Sequence, residues 1–279
     1  MKSWALFRLT LFEAIRRGTL IAYFAIGTIV IVAFAIWLKR APSDPNAIIL
    51  FGNLMPNMVG SALTSAQFLL LVHFKQSTSA IILLGTFGTA GLMTSLLDKG
   101  TIELYISKPL HRWQIFLSRA FGATAGASIN VIYYIAGIWL IFGLKLGVWN
   151  GGFLVSGILV GFAFVCYYSI VSFVGLWTRS AVFSNIVGLM FSFVSTGLEL
   201  REKTMYKVWD NAIYHRFLDA CYYCTPQLDG MLTNAGKLIG RLPLSEEPSA
   251  FSASPFLYSI ASATLFYWLS VRYFTKQDF

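Results

Sequence analysis

The 279-residue chain is 57% hydrophobic and 16% aromatic but only 12% charged, with a mean hydropathy of +0.67. Soluble domains carry about 25% charged residues, so too few polar side chains remain to cover a water-facing surface. That argues against a soluble enzyme, a secreted disulfide scaffold or a disordered tail, and for an all-α integral membrane protein. The net charge of +9 then belongs beside anionic headgroups rather than on nucleic acid.

Residues 1–18 place Trp4, Phe7, Leu11 and Ile15 on one helical face, with Glu13, Arg16 and Arg17 elsewhere and Leu6 and Leu9 blurring the division. This pattern, with Arg8 also in it, predicts an amphipathic elbow helix in the headgroup layer. Arg16 and Arg17 before an apolar run, with Ala33-Phe34-Ala35 beyond, mimic a signal peptide. The run continues through Leu38, however, longer than a secretory h-region, so no cleavage is expected. A transmembrane helix needs about 20 mostly apolar residues. Six runs qualify: Thr19–Leu38, Thr78–Leu97, Phe121–Leu144, Phe153–Trp177, Ala181–Leu198 and Pro255–Phe274, the last with Ser254 as N-cap and Pro255 at the first helical position. Val59–Phe74 is shorter and is interrupted by Thr64, Ser65 and Gln67. It reads as an interfacial or half-inserted helix on the outer side; a full crossing would move every later loop to the opposite face.

With the N-terminus inside, eleven Lys and Arg residues fall in short inner pieces (Lys2, Arg8, Arg16, Arg17, Lys99, Lys108, Arg112, Arg119, Arg179, Arg272, Lys276) against four in short outer pieces (Lys39, Arg40, Lys75, Lys145). The bias favours both termini on the cytoplasmic side. No Asp, Glu, Lys, Arg or His lies in the middle of an expected span; the polar groups there are mild, among them Thr86, Thr89, Asn130, Tyr133, Tyr134, Ser169 and Asn185. Proton pumps, voltage sensors and intramembrane proteases need stronger chemistry inside the membrane; sodium sites built from carbonyls and hydroxyls stay open, and otherwise energy for uphill work would come from a partner. Gly85, Gly88 and Gly91, the pair Gly122 and Gly126, and the pair Gly157 and Gly161 have the spacing that lets helix backbones approach, either within the chain or at a dimer seam or gate.

Between the second and third runs lies Ser95-Leu-Leu-Asp-Lys-Gly-Thr-Ile-Glu-Leu-Tyr-Ile-Ser-Lys-Pro-Leu-His-Arg-Trp113. Gly100 suits a left-handed end to the preceding helix. Thr101 can cap a short helix, with Glu103 near its positive end, and Pro109 separates that helix from the next. The outcome is a stiff charged knob joined directly to two spans. Gly100-Thr101-Ile102-Glu103 followed by Ser107-Lys108-Pro109 and Arg112 resembles the signature of type-2 permease subunits of ATP-binding-cassette transporters, closest to the nitrous-oxide-reductase maturation group. The Arg-rich N-terminus and the terminal Phe274-Thr-Lys-Gln-Asp-Phe279 add to the likeness.

That resemblance implies a multi-pass protein of a bacterial cytoplasmic (inner) membrane, a homodimer or paired permease core, and two ATP-binding subunits on the cytoplasmic face. Residues 98–113, with Thr101, Glu103, Ser107, Lys108, Pro109 and Arg112, would be the coupling helix, and the elbow residues Trp4, Phe7, Arg8, Arg16 and Arg17 a second contact. The chain itself would be no enzyme and hold no cofactor, since ATP and Mg belong to the partner and no Gly-x-x-x-x-Gly-Lys-Ser/Thr loop occurs here. Its work would be export, or alternatively mechanical transmission to an outer partner such as a metalloenzyme maturation factor. The long stretch 201–254, with Tyr206, Trp209, Tyr214, Phe217, Tyr222 and Tyr223, predicts amphipathic outer helices and a docking surface for such a partner. Cys221 and Cys224 are open to a small disulfide, a metal or plain packing; no metal site is assigned. His73, His111 and His215 read as interfacial or surface residues.

Overall fold

A computed structural model describes residues 2–16, 18–41, 47–55, 62–98, 100–102, 110–209, 211–240 and 251–277. Apolar runs in a medium without water must satisfy their backbone groups internally, which selects helices. The chain forms α1 (Lys2–Arg16), α2 (Gly18–Trp37), α3 (Ala62–Thr94), α4 (Arg112–Leu146), α5 (Gly151–Thr178), α6 (Ala181–Glu199), α7 (Met205–Val208), α8 (Ala212–Cys224), α9 (Leu228–Lys237) and α10 (Ser254–Lys276). Five of these, α2 to α6, are long and apolar enough to cross a bilayer and fit a membrane-embedded, multi-pass protein. The sixth expected span, α10, is helical over 23 residues but diluted by Ser, Thr and Tyr. Its cap is Ala253, one residue earlier than expected, and Pro255 lies in its first turn.

Three details depart from the sequence reading. Residues 62–74 are not a separate interfacial helix: they run straight into the apolar segment as one 33-residue α3, because neither Gly nor Pro interrupts residues 61–84. The segment therefore adds no separate crossing of its own. Nor is the chain purely α-helical. A three-stranded antiparallel sheet, β1 (Lys39–Arg40), β2 (Ile48–Leu50) and β3 (Asn53–Met55), is closed by Phe51 (φ 50°) and Gly52 (φ 81°), both in the left-handed region that a two-residue hairpin demands. Burying Ile48 and Leu50 holds this sheet on the helices. Finally, α4 begins nine residues before the expected span, so Arg119 lies inside a helix rather than in a loop.

Side-chain contacts fix the helix directions. Arg112 at the start of α4 meets Thr275 and Gln277 at the end of α10, and Thr19 near the start of α2 meets Gly88 of α3. At the other end Arg40 meets the Leu146 carbonyl, and Phe74 packs edge-on against Phe153. Helices α2, α4 and α6 thus run one way and α3, α5 and α10 the other. One end of the bundle carries α1, residues 100–102 and the start of α4; the opposite end carries the sheet and α7–α9. Helix α5 is the hub, packed by α3, α4, α6, α9 and α10, and its Val160, Ala163, Phe164, Tyr167, Tyr168 and Val171 are all buried.

Helices α8 and α9 are joined through Thr225–Gln227. The Gln227 amide donates to Ser259 Oγ, five residues into α10, and the Asp229 amide donates to Ser195 Oγ, four residues before α6 ends. At 1.5 Å per residue, this link sits about one helical turn below the helix ends. Helix α9 is largely buried, so these 10 residues of the expected surface loop are wedged into the bundle.

Candidate coupling site

The segment that resembles a coupling helix leaves α3 through a 3-10 turn, Ser95–Leu97, and bends at extended Asp98. The Asp98 carbonyl accepts from the amides of Thr101 and Ile102, both at 2.9 Å. The new helical turn therefore starts from Asp98, not Thr101, and Gly100 is helical instead of closing α3 in a left-handed cap. Among the described residues only Gly52 and Gly147 are glycines with positive φ. Thr101 is half-buried and Ile102 buried; Glu103, Ser107, Lys108 and Pro109 lie outside the described residues. Arg112 donates to the carbonyl oxygens of Thr275 (3.1 Å) and Gln277 (2.6 Å), placing a cation on the negative end of α10.

Seven residues further on stands a group that the sequence reading counted only as a loop charge. Arg119 is 2% exposed. Its guanidinium donates to both carboxylate oxygens of Glu13 (2.8 and 3.0 Å), to the Leu92 carbonyl at 2.8 Å and to Ser95 Oγ at 2.9 Å. One side chain therefore ties α1, the last turn of α3 and α4 together at the root of residues 98–111. A bidentate fork suits this task because its donors are fixed in a plane. The signal was present in the sequence: Arg119 sits in an apolar stretch, and Glu13 is the only acid among the first forty residues.

Helix α1 turns Leu6, Thr10 and Ala14 inward, against Gly122 and Gly126 of α4. Of the expected apolar face, Trp4 and Ile15 are exposed while Phe7 and Leu11 are half-buried. Trp4 stacks on Phe7 at 5.1 Å, Arg8 lies 5.9 Å from the Phe12 ring, and Arg16 is exposed; Arg17 lies outside the described residues. The remaining glycines named above face the same chain: Gly85 meets the Phe164 ring, Gly88 meets Leu20, Gly157 meets Ile135 and Gly161 meets Ser128. Gly91 is half-buried, its carbonyl accepting from Thr94.

Two polar clusters interrupt the apolar bundle. Between α2, α3 and α4 lies a cavity of about 120 Å³ lined in part by Tyr23, Ser77, Asn130 and Tyr134. The Asn130 amide and the Tyr23 hydroxyl are buried without hydrogen-bond partners, whereas Tyr134 Oη lies 2.7 Å from His73 Nε2. His73, expected at a surface, is instead packed 4.5 Å from Phe34. At the sheet end, Arg201 donates to Asp219 (2.8 Å) and to the Leu198 carbonyl, and stacks over Tyr222 at 3.8 Å. Tyr206 donates to Asp219 and Tyr222 to Glu199, each at 2.7 Å. The Tyr206 hydrogen bond and the Arg201 guanidinium hold the Asp219 carboxyl below its usual range. Burial and Glu199 push Asp229 up, with Lys75 opposing.

His215 stacks on Tyr206 at 4.0 Å, and His111 precedes α4, its amide donating to Gln114. Cys221 and Cys224 are free thiols on α8. Among the described residues no three His, Cys, Asp or Glu side chains come together as a metal site would require. Comparison with protein-family models and with curated proteins returned no match.

Proposed function

We propose that this chain is the membrane-spanning permease subunit of an ATP-binding-cassette transporter. Separate cytoplasmic ATPase subunits would dock on residues 98–111, and the bundle would convert their motion into export or conformational work. In this reading α10 supplies the sixth crossing: its buried serines, Ser259, Ser262 and Ser270, turn inward while Leu257, Ile260, Leu265 and Trp268 face out. The observation that carries the proposal is the Arg119 clamp. Force on the segment reaches three helices at once through it, as a coupling element requires. Arg112 is engaged at the α10 terminus; Glu103 and Lys108 are the charges that this reading assigns to the partner.

The test is co-reconstitution with an ATP-binding subunit. Glu103→Lys and Lys108→Glu should leave the chain inserted while severing ATP hydrolysis from transport. Normal partner binding and normal transport in both variants would defeat the reading. One observation favours transmission to an outer partner as a second reading: Val208, Trp209, Ile213 and Phe217 form an exposed apolar patch at the sheet end. Replacing Trp209, Ile213 and Phe217 by Ser, which leaves the buried α9 in place, would abolish that partner's function, whereas transport of a solute by vesicles lacking any outer partner would favour the first reading.

A further inference from the structure

A pocket of about 220 Å³ opens between α3 and α9, with Phe74, Lys75, Thr78 and Ser79 on one wall and Asp229, Leu232 and Thr233 on the other. Spacings of one, three and four residues put each set on a single helix face. Phe74 and Leu232 are buried and form the floor, while Lys75, Ser79 and Thr233 are exposed at the rim and Asp229 is half-buried. Such a volume far exceeds the ~10–15 Å³ that one water needs. Among the described residues neither Lys75 nor the Asp229 carboxylate has an ion-pair partner within 4.0 Å. The two charges act on each other across the gap without bridging it.

Depth narrows the ligand. Helix α6 has 19 residues, about 28 Å at 1.5 Å each, so its end marks the border of a hydrocarbon layer about 30 Å thick. Asp229 is joined by its amide to Ser195, one turn below that end, and Phe74 lies level with Phe153, the third residue of α5. The pocket therefore lies within about one helical turn of that border, with Lys75, Ser79 and Thr233 exposed at its mouth, within reach of a headgroup. Glu199 adds further negative potential near Asp229, so that side of the pocket favours a cation, and the Lys75 side favours an anion.

We propose that this pocket binds a phosphoethanolamine group, its ammonium against Asp229 and its phosphate against Lys75, with Ser79 and Thr233 as neutral partners at the rim. A primary ammonium donates hydrogen bonds to a carboxylate, which choline's quaternary nitrogen cannot do. The group is presented either by phosphatidylethanolamine in the surrounding leaflet or by free O-phosphoethanolamine. The assignment is independent of ATP coupling and needs only the full chain in detergent or nanodiscs.

The test titrates the purified full-length chain with short-chain phosphatidylethanolamine, phosphatidylcholine and phosphatidylglycerol, and with O-phosphoethanolamine, by calorimetry. The ethanolamine lipid should bind roughly tenfold or more tighter than the other two lipids, and Lys75→Gln and Asp229→Asn should each remove that advantage, as the loss of one charged hydrogen bond implies. Lys145→Gln, on an exposed lysine of the same end, should change nothing. Binding by the free compound as tight as the lipid's assigns a soluble source, and binding by the lipid alone assigns the leaflet. Equal binding of the ethanolamine and glycerol lipids, or unchanged binding in Lys75→Gln, whose exposed side chain the fold does not need, would overturn the proposal.

Discussion

A guanidinium buried at 2% exposure is stable only when its donors are satisfied, and Arg119 finds a carboxylate, a carbonyl and a hydroxyl. Removing one partner of such a pair strands the other, at a cost of about 3–5 kcal/mol when both are buried and less for Glu13, which keeps a third of its side-chain surface in solvent. Glu13→Gln and Arg119→Met should therefore each lower the melting temperature in detergent, and the double variant should be less damaged than the sum; additive losses would show that the pair is not coupled. Asn130 is the converse case, a 1%-exposed amide with no partner. Asn130→Leu should raise stability by about 1–2 kcal/mol, measured by thermal unfolding, and a loss would mean that an unseen group satisfies it. At the sheet end Asp219 binds its proton more weakly when folded. Its ionised form thus stabilises the fold above the ordinary carboxylate range, and this contribution fades as pH falls through and below it. Asp229 has the opposite sign. In ligand-free detergent Asp219→Asn should lower the melting temperature at pH 7 but not near pH 3, while Asp229→Asn should hold or raise it at pH 7; identical shifts at both pH values would contradict these assignments. Thr101 and Arg112 were legible as points on a segment; Arg119 was missed because charge counting alone does not pair a cation in an apolar stretch with a distant carboxylate.

At the scale of elements, apolar length and end signals located α2, α5 and α6 to within two residues of the expected spans. What escaped was set by neighbours. The early start of α3 and α4 follows from packing beyond the apolar run, and the sheet follows from burial of Ile48 and Leu50. The seating of α9 depends on backbone approach: a Cβ on Gly152 would lie 1.9 Å from the Leu238 carbonyl oxygen. Gly157 shows the same closeness between helices, with Ile135 side-chain carbons at 2.9–3.2 Å, whereas Gly161 has ordinary room at 3.4 Å from Ser128. Gly157→Ala should therefore cost about 1–3 kcal/mol. Gly161→Ala should be neutral or stabilising by up to about 1 kcal/mol, since alanine suits a helix better. Thermal unfolding of the two variants checks the contrast, and equal losses would place the α4–α5 contact elsewhere.

For the whole molecule, alternating helix directions put α1, the start of α4 and the end of α10 on one side and the sheet with α7–α9 on the other. This layout separates the end that carries Arg112 and the Arg119–Glu13 pair from the end where α9 is wedged into the bundle. The composition made the membrane setting plain. The insertion of α9 was hidden because the length and aromatic content of residues 201–254 suit a surface loop equally well. The most direct measurement labels Leu104→Cys, in a chain whose Cys166, Cys221 and Cys224 are replaced by serine, with a membrane-impermeant maleimide. Labelling in inside-out vesicles only, and protection there by an added ATP-binding subunit, is the predicted result; labelling of intact cells from outside would contradict the account.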